Sequence, residues 1–551
     1  MIAALTDCGG GGGGGGARPT NSPTSSSTPP SSSTPPPSPT PPPTSAPQPT
    51  AHTDVATYRD DAGRTGANVT ESLLTPANVN SASFGLLRVL PVDGKVDAQP
   101  LYAAQLAIAG ATHDVVFVAT EHDSVYAFDP RTGAALWHVS LLGSGETPSD
   151  DRGCNQITPE IGITATPVID RNAGPHGAIF VVAMSKDSSS NYYQRLHALD
   201  ITTGAELFNG PVTLNPTYSS PAGGQKTFAP GQYAERAALL LDNQTIYTSF
   251  TSHCDFQPYS GWVVGFGEST LAQTSVLNVA AGSDAGPSIW MSGAGPAADS
   301  AGNVYLLTAN GAFDTSLNSS GFPQSGDYGN SFLKLSPAGG ALTVADYFTP
   351  SNETSESAAD EDLGSGGTML LPDLTDSSGA VRHLMVGAGK DGTLYVINRD
   401  NMGKFSSSAN AVWQELDGAL PGGIFSSPAY FNGTVYYADV GGPLKAFTIA
   451  GAKLSSQPAS VTTTEFPYPG ASPAVSANGA ANGIVWAVEN ASAAVLHAYD
   501  ATDLTHELYN SNQAAGGRDS FGAGNKFISP TVADGMVFVG TTNGVAVFGL
   551  L

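Results

Sequence analysis

The stretch Val115–Leu141, VVFVATEHDSVYAFDPRTGAALWHVSL, decides the fold. It contains an apolar run at Val115–Ala119, an alternating segment at Ser124–Phe128 and a third extended segment at Ala135–Leu141. Asp129–Gly133 joins the last two as a hairpin turn, because Asp caps such a turn, Pro presets its φ angle and Gly accepts a positive φ. The pattern therefore predicts a meander of three strands, which needs packing partners on both faces.

Two further stretches repeat this pattern. RLHALDITTGAELF at Arg195–Phe208 aligns with SVYAFDPRTGAALW, and VLHAYDATDLTHELY at Val495–Tyr509 is a third copy with a longer turn. Strand-containing units that recur at a period of roughly 40–60 residues are typical of β-propellers. Eight such units can be followed from Ala98 to Leu550. The eighth has three strands of its own, so we predict that Phe84–Val92 supplies its fourth. The predicted fold is all-β, an eight-bladed propeller of four-stranded antiparallel blades.

Composition excludes several partner classes. The 551 residues carry 47 acidic and 21 basic side chains, which gives a formal net charge of −26. Such a charge argues against nucleic acid or an anionic membrane surface as a partner. The high glycine content, 65 residues, suits a turn-dense β protein.

The N-terminal region differs from the rest in composition. Residues 1–16, MIAALTDCGGGGGGGG, are interpreted as the remnant of a signal or lipobox-like leader followed by a glycine run, with Cys8 as the candidate lipidation site. The alternative is an unstructured tail with an idle cysteine. Residues 17–52 are mostly Pro, Ser and Thr and are predicted to form a disordered stalk before a propeller at residues 53–551. This layout predicts an exported protein held at the cell envelope or outer membrane, or a periplasmic one, with membrane contact only through the lipid anchor.

Cys154 and Cys254 lie on the same predicted face of the propeller. An exported protein favours a disulfide between them. Two separate buried thiols are the alternative.

The predicted blades place polar residues on one face, where the loops between second and third strands and the crossovers between blades open. Carboxylates and amides there, such as Glu160, Asn310 and Asp362, are of the types that bind Ca²⁺. Lys390 and Arg518 could hold an anionic cofactor or substrate. The alternative is that polar residues simply populate exposed loops.

The repeats resemble those of a known family. The pattern A-x-D-x-x-T-G-x-x-x-W at Ala127–Trp137, its copy at Ala198–Phe208 and the segment Gly387–Arg399, GAGKDGTLYVINR, are similar to the repeats of the quinoprotein alcohol-dehydrogenase-like propellers. That family is named after pyrroloquinoline quinone (PQQ). It contains enzymes and also non-enzymatic outer-membrane assembly scaffolds.

The resemblance implies site residues for a dehydrogenase. Those enzymes stack a tryptophan on the quinone, for which Trp290 is the candidate. They ligate the metal through a Glu, an Asn and an Asp, for which Glu160, Asn310 and Asp314 or Asp362 are of the right types. One of these aspartates, Asp314 or Asp362, is the candidate general base on an alcohol. The adjacent cysteine pair that those enzymes carry is missing from this sequence.

Two function classes follow. The first is a binding or scaffold propeller that recognises an envelope protein, a peptide or a glycan on its loop face. The second is a PQQ- and Ca²⁺-dependent alcohol or sugar dehydrogenase. The missing cysteine pair favours the first.

Overall fold

Eight sheets follow one another along the chain, each built on four antiparallel strands, and those of the second, sixth and seventh blades carry one or two additional short strands. The structure, a computed structural model, describes residues 53–337 and 341–551. The expectations for Cys8 and for residues 17–52 therefore fall outside the described residues. We number the sheets as blades 1 to 8 in chain order.

Each blade runs from an inner to an outer strand. Blade 1 consists of Leu101–Ile108, Ala111–Ala119, Ser124–Phe128 and Ala135–Ser140, and blade 2 of Val168–Asp170, Ala178–Asp187, Tyr192–Asp200 and Val212–Thr213. Blade 3 consists of Tyr233–Asp242, Thr245–Ser252, Trp262–Gly267 and Gln273–Asn278, and blade 4 of Ala297–Ala298, Val304–Leu307, Phe332–Ser336 and Thr343–Phe348. Blade 5 consists of Thr368–Leu370, Leu384–Ala388, Leu394–Asn398 and Gln414–Leu416, and blade 6 of Ala429–Phe431, Thr434–Ala438, Gly442–Ala450 and Ser460–Phe466. Blade 7 consists of Ala474–Asn478, Ala481–Glu489, Val495–Asp500 and Asp503–Asn510, and blade 8 of Thr531–Ala533, Met536–Gly540, Gly544–Leu550 and Phe84–Pro91.

The other elements are short. The additional strands are Ala67–Asn68, Glu146–Asp150, Glu160–Ile161, Thr217–Ser219, Gln225–Thr227, Leu374–Thr375, Val381–Arg382 and Lys453–Leu454. An α-helix covers Glu353–Ala359, and 3₁₀ turns cover Pro230–Gln232, Met291–Gly293, Leu363–Ser365 and Ala515–Gly517. No helix of the described ranges is long and apolar enough to cross a membrane.

The predicted closure of the ring is confirmed. Phe84–Pro91 pairs antiparallel with Gly544–Leu550, with Leu90 opposite Val545. The N-terminal and C-terminal ends of the propeller thus share blade 8, and the ring has no open sheet edge between its first and last units.

Aromatic side chains pack neighbouring blades together. The Trp137 indole of blade 1 donates to the Ile201 carbonyl of blade 2 at 3.0 Å. Trp486 of blade 7 lies 5.4 Å from Phe84 of blade 8, measured between ring centroids. Full burial of one such side chain contributes roughly 2 kcal/mol, so the apolar positions of the repeats hold the ring together.

The segment from Val55 to Asn68, here called the axial segment, touches every blade. Its backbone pairs with Tyr102 of blade 1 and binds Ile169 of blade 2. Further along, carbonyls of the segment accept backbone hydrogen bonds from blades 4, 5, 6 and 7. The donors are the N–H groups of Ala298, Leu370, Tyr430 and Val475. Asn68 donates to Val532 of blade 8 at 2.9 Å, and Arg64 donates to Leu239 of blade 3 at 3.0 Å.

The axial segment lies on the side of the ring away from the loop face. Ala298 and Tyr430, which it binds, come directly before the hairpins that join first to second strands. Two arginines of the segment are fully buried, Arg59 at 0% and Arg64 at 1% exposure. Both guanidinium groups donate hydrogen bonds to backbone carbonyls. Arg59 donates to the carbonyls of Pro428 and Pro473, and Arg64 donates to that of Pro296 among others. The segment therefore fills the centre of the ring opposite the loops.

Candidate functional site

A cavity of about 500 Å³ opens on the loop face and is here called the mouth cavity. Its walls come from the segments that enter blades 2 to 8 and from the loops between second and third strands of blades 3, 4 and 5. The lining residues are Gln156, Arg236, Asp255, Gln257, Tyr259, Trp290, Ser292, Asn310, Asp360, Asp362, Ser365, Lys390, Phe425, Tyr468, Lys526 and Phe527.

Aromatic rings form part of the wall. Phe425, Tyr468 and Phe527 contact one another in sequence, at centroid distances of 5.4 and 6.4 Å. Tyr468 remains 50% exposed. The backbone is left-handed at Phe527 (φ 69°) and at Met291 (φ 46°), beside Trp290. Bulky residues rarely adopt this conformation, and such strain concentrates at functional sites. The rings offer flat surfaces on which a planar ligand can stack.

Arg236 is a buried cation at this cavity. It is 3% exposed, and its guanidinium lies 4.4 Å from the Phe527 ring centroid and 5.9 Å from that of Trp290. Within the described ranges its Nη1 atom has no hydrogen-bond partner. The charges of Asp97 and Glu121 act on the guanidinium, but the Nη1 donor has no acceptor, which is costly for a buried polar atom. An anionic ligand in the cavity would satisfy it.

Lys390 forms the centre of a second charged group. Its ammonium lies 2.5 Å from an Asp362 carboxylate oxygen and 2.9 Å from one of Asp360. Asn310 donates its backbone N–H to Asp362 at 2.7 Å and its side-chain amide to Asp360 at 2.9 Å. Burial raises the pKa of Asp362, against the opposing effect of Lys390. Burial alone lowers the pKa of Lys390, but the two carboxylates raise it above its usual value.

The structure brings together four of the residues selected from the sequence: Trp290, Asn310, Asp362 and Lys390 all line the mouth cavity. Each sits at a blade entry or a loop between second and third strands. These are the positions where a propeller's strands end on one face.

Three other selected residues do not reach the mouth cavity. Glu160 forms a hydrogen bond with His122, with 2.8 Å between its Oε1 atom and the Nδ1 atom of the imidazole. Asp314 accepts the backbone N–H groups of Ser316 and Ser325 at 2.8 Å each, so it closes its own loop. Arg518 binds the Asp519 carboxylate at 2.6 Å at the edge of blade 8. The described residues contain no group of three His, Cys, Asp or Glu side chains placed to hold a metal ion.

Cys154 and Cys254 form a disulfide between residues 100 positions apart. It ties the crossover from blade 1 to blade 2 to the loop of blade 3. Beside it, Gln156 donates to Asp255 at 2.8 Å and accepts the Cys254 N–H at 3.2 Å. Both Gln156 and Asp255 line the mouth cavity, so the disulfide supports one of its walls.

The disulfide predicts a simple chemical outcome. In the denatured, unreduced protein, neither Cys154 nor Cys254 is expected to react with a thiol reagent, because both sulfurs are in the bond. Both should react after reduction. Mass spectrometry of the labelled peptides measures this, and labelling of both cysteines before reduction would contradict it.

Sequence reasoning missed most of the aromatic wall and one cation. Phe425, Tyr468, Lys526 and Phe527 were not selected. A signal was present, since an aromatic residue precedes the Ser-Pro pair that opens blades 6, 7 and 8: Phe425 before Pro428, Tyr468 before Pro473 and Phe527 before Pro530.

Known proteins share this architecture. Residues 121–229 match the PQQ-repeat family model described as outer membrane protein assembly factor BamB. The solved quinohemoprotein alcohol dehydrogenase of Comamonas testosteroni is 15% identical, with a TM-score of 0.57 over 90% of this chain and 80% of the other. The fold is that of the PQQ-repeat β-propellers. A second such dehydrogenase, from Pseudomonas putida HK5, is 14% identical with a TM-score of 0.57, again over 90% and 80% of the two chains.

A europium-containing methanol dehydrogenase is also similar, at 14% identity and a TM-score of 0.55 over 90% of this chain and 98% of the other. No curated protein matches the sequence significantly. These low identities establish the propeller fold and leave the activity to be argued from the site.

The mouth cavity can be tested against PQQ, a planar quinone that carries three carboxylates. Arg236 and Lys526 supply two cations, and Trp290 and Phe527 supply ring faces. These residues fit the quinone. They do not fit its usual metal, because Glu160 and Asp314 lie outside the cavity and Lys390 already neutralises Asp360 and Asp362.

Proposed function

We propose that this PQQ-repeat propeller is a binding module whose mouth cavity takes up a small planar ligand bearing carboxylate or other anionic groups. The observation that carries the proposal is Arg236, which is buried against Phe527 and Trp290 and has an unpartnered Nη1 atom within the described part of the chain. A guanidinium held this way is preorganised for a carboxylate. The aromatic rings beside it would hold the body of the ligand.

The first described residues of the chain lie on the side of the ring opposite the mouth cavity, which supports a role of the loop face in binding. Asp54 accepts Arg171 at 2.9 Å and the Ala104 N–H at 2.8 Å, on the side of the axial segment. The described part of the chain therefore begins away from the mouth cavity. We keep export and lipid anchoring through Cys8 as part of the proposal. Fractionation of cells that express the natural gene or its Cys8→Ser variant tests the anchor. If both proteins are found in the soluble fraction to the same extent, the anchor is ruled out.

An oxidoreductase is the second candidate. Asp362 lies in the cavity next to Asn310, and burial raises its pKa, so its carboxylate is the candidate to accept a proton from an alcohol. PQQ bound by Arg236 and Lys526 would supply the acceptor for the electrons.

Titration of the purified full chain with PQQ distinguishes the candidates. We expect saturable binding without added Ca²⁺, measured through quenching of tryptophan fluorescence, since Trp290 lies in the cavity wall. A planar cation of similar size, such as proflavine, is the matched control and should not compete. Dye-linked oxidation of alcohols by the PQQ complex would establish the oxidoreductase. If neither PQQ nor other planar carboxylates bind, the proposed anion site is refuted.

A further inference from the structure

Lys526 differs from the other lysines of the loop face. It lines the mouth cavity and also an adjoining lobe of about 590 Å³. Its ammonium lies 5.6 Å from the Phe527 ring centroid. Within the described ranges it forms no ion pair, whereas Lys390 is paired with two aspartates and Lys95 with Asp97 at 2.9 Å.

The surroundings of Lys526 disfavour its charged form. Burial lowers its pKa to about 8, and the cations Arg236 and Lys95 act in the same direction, while Asp97 opposes them. The Phe527 ring connects two of these groups, because the Arg236 guanidinium lies 4.4 Å from the same centroid.

The remaining acidic groups near the adjoining lobe are already engaged. Asp93 accepts the Thr120 and Ser124 hydroxyls at 3.0 and 2.6 Å, and Glu160 shares a hydrogen bond with His122. Tyr468 also lines both cavities. A half-buried lysine beside another cation is the setting in which enzymes use lysine as an amine nucleophile.

We propose that Lys526 forms a Schiff base with the carbonyl group of an anionic, planar aldehyde or ketone held in the mouth cavity. This rests on the proposed anion site, and it deepens that proposal by naming a carbonyl compound as the ligand class. Arg236 holds the anionic group of the ligand, and the aromatic wall places the carbonyl against the amine.

The reaction is a condensation without a redox change. The lone pair of the neutral Lys526 nitrogen adds to the carbonyl carbon, and the C–O π electrons move to oxygen, which takes a proton from the nitrogen. The resulting carbinolamine loses its hydroxyl and the second nitrogen proton as one water molecule. The product is a C=N bond, and the overall balance is amine plus carbonyl to imine plus water.

Pyridoxal 5′-phosphate is a suitable probe, since it is planar, anionic and an aldehyde. The full chain is incubated with it at micromolar concentration, reduced with borohydride and analysed by peptide mass spectrometry. We expect Lys526 to be labelled at least tenfold more than Lys390, the paired lysine of the same cavity, and more than the exposed Lys453. Labelling should rise as the pH is raised through about 8, where the amine loses its proton.

Two variants separate this inference from the anion site. Lys526→Arg should keep saturable binding of the probe, seen by fluorescence before reduction, and lose the adduct. Lys453→Arg, at an exposed lysine outside both cavities, should keep the adduct. Binding of the probe to the natural chain without preferential labelling of Lys526 would overturn the Schiff base and leave the anion site standing. Absence of binding altogether would overturn both.

Discussion

Replacing Arg64 by methionine is expected to lower the free energy of unfolding by about 3 to 5 kcal/mol. Arg64 is 1% exposed and donates to the carbonyls of Pro296 and Tyr58 at 2.8 Å and of Leu239 at 3.0 Å. Methionine has a similar length and no donor, so three buried carbonyls lose their partner. Each unsatisfied group costs about 1–3 kcal/mol.

The loss should affect the whole ring, because Pro296 and Leu239 belong to the entry of blade 4 and to blade 3, while Tyr58 belongs to the axial segment. Urea unfolding followed by tryptophan fluorescence measures the effect. Where unfolding is irreversible, the shift of the calorimetric transition replaces it.

Arg131→Met is the matched control. Its side chain is 54% exposed and pairs with Asp114 at 3.1 Å. Asp114 is buried, but it keeps its hydrogen bonds from the backbone and side chain of Gln105, and a pair with one end in solvent contributes about 1 kcal/mol, so this variant should unfold close to the natural protein. Equal losses for the two variants would contradict the role given to the axial segment.

Arg236→Met is expected to weaken binding of PQQ at least about 100-fold, which corresponds to about 2.7 kcal/mol. Hydrogen bonds to charged groups contribute about 1.5–3 kcal/mol. Arg236 has an Nη1 donor without an acceptor and lies beside the rings of Trp290 and Phe527. A carboxylate in the mouth cavity would therefore bind to Arg236. Fluorescence titration of the variant measures the change.

Stability gives this prediction a second readout. The Nη1 atom of Arg236 has no hydrogen-bond partner within the described residues, while the charges of Asp97 and Glu121 act on the guanidinium and oppose the effect of burial on its pKa. Methionine there removes a cation near two carboxylates, whereas Arg64→Met leaves three buried carbonyls without a donor. The loss of stability should therefore be smaller than that of Arg64→Met. A variant that loses stability and keeps its affinity would therefore refute the binding role.

Arg152→Met serves as the control for charge alone. Arg152 stacks 4.5 Å from the exposed Phe256 ring at the rim and does not line the mouth cavity. We expect its affinity to change less than threefold, since rim charges act mainly on association rates. A loss similar to that of Arg236→Met would show that the net charge of the face, and not a specific contact, controls binding.

The propeller and its closure were predictable because they depend on repeated local patterns. The hairpin at Asp129–Gly133 and the strands around it recur at Arg195–Phe208 and Val495–Tyr509, and strand alternation gives each sheet two buried faces. The count of strands in the last unit was enough to select Phe84–Val92, of which Phe84–Pro91 forms the fourth strand. Trp290, Asn310, Asp362 and Lys390 were also accessible from the sequence, because loop order along the repeats indicates which face each residue reaches.

The axial segment was not predictable in this way. Arg59 and Arg64 lie in a stretch without strand periodicity, and a charged residue there suggests solvent. Only the closed ring supplies the inward-facing carbonyls, such as those of Pro296, Pro428 and Pro473, that make burial of both guanidinium groups favourable.

The sequence by itself determined the number of blades, their strands and the face that carries the loops, since each depends on neighbours within one repeat. The tertiary structure alone decided which loop residues meet. Arg236 and Lys526 are distant along the chain and lie against the same Phe527 ring, whereas Arg518, close to Lys526 in sequence, turns to Asp519 at the edge of blade 8. The physical reason is that the closed ring brings the entry segments of blades 3 and 8 to one cavity, and no repeat encodes the distance across it.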